Sequence, residues 1–217
     1  MKTRLIFCLL SIAIALVVGC KEEASKPAPK TGAAAEKKDA PPPITTTNDV
    51  AVIQTSAGDI VAEFWPEVAP ATVENFKKLS RQGFYDGTAS HRIMQGFMIQ
   101  MGDPLTKDPA AADRWGTGGP GYTIKAEFND RKHERGVLSM ARGSDPDSAS
   151  SQFFICFGPA PGLDHQYTTF GRMIRGEEVL AKLEATPCGP GNAGEMSRPN
   201  QRVGILSIRI LPGNQIK

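Results

Sequence analysis

Apolar and polar side chains alternate along Val50–Thr55 and again along Asp59–Phe64, with Ser56-Ala57-Gly58 between them, a pattern that predicts a β-hairpin. The period then changes. Over Pro70–Leu79, Val73, Phe76 and Leu79 fall on one helical face, with proline in the first turn where a missing N–H is tolerated and Gly83 beyond to end the helix. Short apolar runs near Ser90–Met94, Phe97–Met101, Val137–Ala141, Gln152–Phe157 and Thr168–Ile174 predict further strands. Glu177–Ala185 predicts a second helix with Val179, Leu180 and Leu183 inward, and Val203–Leu211 a last strand. Alternation within Phe97–Met101 places Phe97, Ile99 and Met101 on one face and Met98 and Gln100 on the other. The stretch Cys188–Asn200, rich in glycine and proline, reads as a surface loop. Many short strands with two helices predict a mainly β protein, a closed antiparallel barrel.

The first 48 residues follow a different pattern. Lys2 and Arg4 precede Leu5–Val18, in which Ser11 is the one polar side chain, and Gly19 and Cys20 follow. A basic start, a short apolar run and a small residue predict a secretory signal over 1–19, since a spanning helix needs about 20 apolar residues. Val17-Val18-Gly19-Cys20 resembles the lipobox of bacterial lipoproteins, which implies cleavage before Cys20 and a lipid on its thiol. Two or more acyl chains anchor stably where one does not. Lys21, in place of the aspartate that often retains such proteins at an inner membrane, favours the outer membrane of a bacterial cell envelope that has one. Residues 20–48 hold five Pro, six Ala, five Lys and four acids, with Ile44 as the single large apolar side chain, and are expected to form a disordered linker. The folded domain is expected over 49–217.

Charge sharpens this division. The 217 residues sum to +2, and Lys2 and Arg4 account for both units. The near-neutral remainder has no global field for nucleic acid and no basic patch for membrane attachment. Of the four cysteines, Cys8 leaves with the signal and Cys20 carries lipid, while Cys156 and Cys188 are left with their pairing open. His91, His133 and His165 have no ligand spacing, so no metal is expected. Gly116–Gly121 fits GxGxxG literally, but Pro120 cannot open the helix that a dinucleotide site needs, so the run is expected to be a surface loop. Asp164-His165 reads as a solvated loop, and no nucleophile elbow is present.

A constellation around one arginine remains. His91-Arg92-Ile93-Met94-Gln95-Gly96-Phe97-Met98-Ile99-Gln100-Met101-Gly102-Asp103 interleaves cations and amides with large apolar groups. This segment resembles the signature of cyclophilins, a class of peptidyl-prolyl cis-trans isomerases. Gly136–Ala141, Ser151–Ile155, and Leu163-Asp164 followed by Phe170-Gly171 agree with it in order and spacing. The resemblance, over about Val50–Leu211, implies an eight-stranded barrel capped by two helices, with the active groove on its outside. It implies Arg92 as the catalytic arginine, Phe97, Met98, Phe154 and Leu163 as a proline pocket, Gln100 and Gln152 as polar groove residues, and Ala141-Arg142 as the edge that pairs with substrate backbone. Tyr167 falls where many members have His, and Gly162 where eukaryotic members often have Trp, so weak cyclosporin binding is expected. The implied protein is a cofactor-free monomer acting on proline-containing unfolded polypeptides. The alternative is a proline-directed binding module or chaperone with little turnover.

Overall fold

The computed structural model describes residues 48–191 and 194–216; the predicted signal, Cys20 and nearly all of the predicted linker lie outside them. β1 (Asp49–Thr55) and β2 (Gly58–Phe64) form the expected hairpin. α1 (Pro70–Arg81) begins at its proline and runs two residues past the predicted end. Its first N–H groups, orphaned at any helix start, are taken by a distant carboxylate. Glu127 accepts from the N–H of Ala71 at 3.0 Å and of Thr72 at 2.8 Å, and from the Thr72 hydroxyl at 2.7 Å.

β3 (Arg92–Met94), β4 (Met98–Met101), β5 (Val137–Met140), β6 (Phe153–Cys156) and β7 (Thr169–Arg175) follow, then α2 (Glu177–Glu184), β8 (Cys188–Pro190), β9 (Met196–Pro199) and β10 (Ile205–Pro212). Eight strands make one antiparallel sheet in the order β10-β1-β2-β7-β5-β6-β4-β3. The sheet curls, but the expectation of a closed barrel is corrected: its end strands share no ladder. An isolated bridge, Ala89 with Gly204, crosses the seam, helped by Ser90 N–H on Val203 C=O and Ile205 N–H on Thr88 C=O, both at 2.8 Å. β3 is only three residues long: the chain meets the start of β10 ahead of it, at Thr88–Ser90, and Gly96 at φ +73° turns it back after Met94, where Phe97 N–H closes the turn on Met94 C=O.

The core fills the concave side. Phe76 of α1 packs among Tyr85, Phe153 and Phe170 with ring centroids 5.2–5.3 Å away. Ile53, Ile60, Ile93, Ile99, Leu138 and Ile155 complete it, all fully buried. Cys188–Asn200 is not the loop expected from its composition. β8 and β9 pair antiparallel, Cys188 with Pro199 and Gly189 with Arg198, with a register shift before Pro190, and this hairpin packs against β3. That docking brings an insert with no obvious sequence signal to the edge of the site.

Candidate active site

Period-two alternation on three neighbouring strands builds the site. Ile99 and Met101 of β4 and Phe153 and Ile155 of β6 point into the core, so Met98 and Gln100 stand on the outer face beside Phe154 and Cys156. The register sets Met98 against Cys156, and Gln100 against both Phe154 on β6 and Arg92 on β3. Ile93 is inward and fully buried, which turns Arg92 and Met94 outward. Phe97 departs from the predicted alternation. It lies in the turn before β4, outside the ladder, and joins the outer cluster of Met94, Met98, Leu163 and Tyr167 instead of the core.

One cavity of about 220 Å³ is lined by Arg92, Phe97, Met98, Gln100, Ala141, Arg142, Phe154, Leu163 and Tyr167. Every predicted site residue with described coordinates is therefore brought together, except Gln152. Gln152 lies one step along, in a neighbouring cavity of about 230 Å³ that shares Gln100, Ala141 and Arg142 and adds Gly116–Gly118, Ser148 and Ser150. Its amide ties the two: Nε2 donates to the carbonyls of Gly116 at 2.9 Å and Gly118 at 2.8 Å, while Oε1 accepts from Gln100 at 3.0 Å. The glycine-rich run is thus a wall of the groove. Buried Asp103 holds it by accepting from the N–H groups of Gly116 and Gly118, and a side chain at position 118 would collide with that carboxylate. Ala141 contributes surface, since its N–H is committed to Gln152 C=O at 2.9 Å. Arg142 stacks its guanidinium 4.6 Å from the centre of the Tyr167 ring and donates to Gln166 C=O.

Beneath the apolar floor lies a polar chain. His133 stacks on Phe154 with ring centroids 6.0 Å apart and 14° between planes. Its Nδ1 is 3.0 Å from Asp164 and its Nε2 3.0 Å from the Ser139 hydroxyl. Asp164 is therefore the anchor of the Leu163 turn rather than a solvated group, whereas His165 is exposed as expected. The Ser-His-Asp order is not nucleophilic machinery. Ser139 is fully buried and donates to Thr168 C=O, out of reach of any substrate carbonyl. Cys156 is a free thiol pushed up to about 12 by burial, so it stays protonated, and Cys188 is also free.

The family model described as cyclophilin type peptidyl-prolyl cis-trans isomerase/CLD matches residues 50–210. The chain belongs to the cyclophilin family. It is 42% identical over 156 residues to a peptidyl-prolyl cis-trans isomerase of Arabidopsis thaliana, covering 72% of this chain and 68% of that one. It is 48% identical over 122 residues to a peptidyl-prolyl cis-trans isomerase of Synechococcus elongatus, covering 56% and 78%. A cyclophilin-type isomerase of Cryptosporidium parvum, solved in the presence of the dipeptide Ala-Pro, superposes with a TM-score of 0.66 at 33% identity, over 75% of this chain and 98% of that one. The protein is accordingly a cyclophilin-type peptidyl-prolyl cis-trans isomerase.

The cyclophilin carries one group at its site that sequence reasoning missed. Glu195, on the hairpin insert, accepts from Nε of Arg92 at 3.2 Å. The two lie 103 positions apart, and nothing local in the sequence links them. Two imidazoles, His133 buried and His91 half-buried, make the fold sensitive to acid. Burial, opposed by Asp103 and reinforced by Arg92, brings His91 down to about 4, and burial holds His133 below the ordinary 6.5 against the pull of Asp164. The unfolded chain therefore binds more protons below about pH 6.5, and stability is lost as pH falls through that value. Asp164, lowered to about 2 chiefly by the backbone N–H of His133, adds a loss only below the ordinary 3.8. Thermal melts should show Tm level above about pH 6.5 and falling steadily toward about pH 4; a Tm flat across that interval would contradict the lowering of both rings.

Proposed function

We propose that the cavity around Arg92 is where this cyclophilin turns the X–Pro bond, with Arg92 as its catalytic arginine. The gathering of one half-buried guanidinium and a continuous apolar wall in a single cavity carries this reading. The barrier to X–Pro rotation is about 20 kcal/mol and arises from lost amide resonance. In the twisted transition state the proline nitrogen becomes pyramidal and regains a lone pair. A donor aimed at that nitrogen binds the transition state better than either planar ground state. A guanidinium supplies such donors in a fixed fork and keeps its charge at any working pH. Phe97, Met98, Phe154 and Leu163 hold the ring while the preceding carbonyl swings, and the Arg142 edge pairs with the flanking backbone. No nucleophile, base, metal or cofactor has a step to perform in this scheme. Gly162 brings no indole to the rim, and weak cyclosporin binding follows.

The proposal extends to place. The basic, apolar and Cys20 pattern of the first 20 residues supports export and lipid attachment, and the composition of 20–48 supports a tether that leaves the domain mobile at a membrane surface. Its substrates would be exported polypeptides whose folding waits on proline isomerisation. Full-length protein and its Cys20→Ser variant, expressed in bacteria and fractionated, test both halves. Equal prolyl exchange on a Xaa-Pro peptide is expected from the two, with the wild type alone in the membrane fraction. Exchange lost with the thiol, or identical fractionation, would contradict the reading.

A further inference from the structure

The insert that folds as β8 and β9 places a carboxylate on the arginine to which catalysis is assigned. Oε1 of Glu195 accepts from Arg92 Nε at 3.2 Å and from the hydroxyl of Ser197 at 3.0 Å, and Ser197 is itself almost fully buried. The backbone fixes the acid as well, with Gly191 N–H donating to Glu195 C=O at 2.6 Å. Gln100, the cross-strand partner of Arg92, donates its Nε2 to Gln152 at 3.0 Å. A further cavity of about 250 Å³, lined by Arg92, Trp115, Glu195 and Arg198 among others, lies along this flank, so the pair sits between two open spaces instead of in packed core.

We propose that Glu195 is a positioning residue for Arg92, and that the β8–β9 hairpin exists in this chain partly to deliver it. A guanidinium has one N–H on Nε and four on its two terminal nitrogens. A charge-assisted bond at Nε fixes the plane of the fork and leaves the terminal N–H groups to face the substrate. Without it, a side chain that is 35% exposed is free to turn about its last torsions, and only part of its population aims a donor at the proline nitrogen. The cost falls on the transition state, since the planar substrate makes little use of that donor. Its own backbone N–H, then the Ser197 hydroxyl and Arg92, hold the Glu195 carboxyl below its usual range.

The inference rests on Arg92 as the catalytic arginine, and the test separates the two. Prolyl exchange on one Xaa-Pro peptide is measured for Glu195→Ala, Glu195→Gln, Arg92→Ala and the Arg92→Ala/Glu195→Ala double variant, together with the Arg92 Nε–H resonance. Glu195→Ala should lower kcat about three- to tenfold with KM within about twofold, as expected for a misaligned group. Glu195→Gln, whose amide oxygen still accepts from Nε, should recover most of that loss. The Nε–H signal should move in both. In the Arg92→Ala background Glu195→Ala should have no further effect, whereas a merely structural role would add its loss independently. An unchanged or raised kcat in Glu195→Ala, a Gln variant as poor as Ala, additive losses in the double variant, or an Nε–H signal indifferent to both substitutions would each overturn the proposal. Full activity in Arg92→Ala would instead overturn the reading on which it stands.

Discussion

Arg92→Ala is expected to lower kcat/KM for a Xaa-Pro peptide at least tenfold, about 1.4 kcal/mol of transition-state stabilisation. The domain should remain folded. Arg92 stands on the outer face of β3 with its side chain 35% exposed, and its hydrogen bond runs to Glu195 of the surface hairpin. The core contacts of β3 come from Ile93. Removing a single preorganised donor from an oxyanion site typically costs about 10²–10³ in rate. Tenfold is therefore a lower bound for a donor that meets a neutral lone pair instead of a full charge. A melt or urea curve on the same sample separates loss of chemistry from loss of fold.

Phe154→Ala is expected to damage both. Phe154 is 4% exposed, stacked on His133 and edge-on to Tyr167 at 6.0 Å. Truncating a buried phenylalanine costs about 3–5 kcal/mol, and because this site opens to a cavity at its surface the lower end, about 3 kcal/mol, is expected. Urea unfolding should show a lower midpoint at unchanged slope, the sign of lost stability without a changed unfolded state. Below the midpoint, KM should rise because the proline ring loses its floor, and kcat should fall less because Arg92 is untouched. Phe154→Leu restores most of the volume and should recover most of the stability but only part of the KM. A Phe154→Ala protein with wild-type KM would remove this ring from the pocket.

Periodicity carried the eight strands of the main sheet and both helices, since each run has one face in a common core. It misled at Phe97, where counting every second residue assumed a strand already under way. Gly96 places Phe97 in a turn, and the ring swings to the outer cluster. The resemblance supplied the pocket residues, and the fold brings them into one cavity apart from Gln152, whose long amide reaches the glycine-rich wall instead. That wall was hidden because Gly116 and Gly118 carry no side chain to signal a role, and nothing local in the sequence ties them to Asp103, which organises them. Barrel closure was over-read, because the pattern of Ser90–Met94 does not show that its first residues pair across the seam and its last across β4. Glu195 was beyond reach for a different reason. Its partner is set by how a Gly- and Pro-rich insert folds back on β3, a tertiary event without a local period.

The central claim is that Arg92 binds the twisted amide better than the planar one. Its most direct test is the cis–trans exchange rate of a Xaa-Pro peptide at saturation, measured by NMR line shape with the Kd from the same titration, for wild type and Arg92→Lys. Lysine keeps the charge and loses the fork. The account predicts a Kd within about twofold and an on-enzyme exchange rate at least tenfold lower, as selective loss of transition-state binding requires. On-enzyme exchange at the wild-type rate, or a loss confined to Kd, would contradict it.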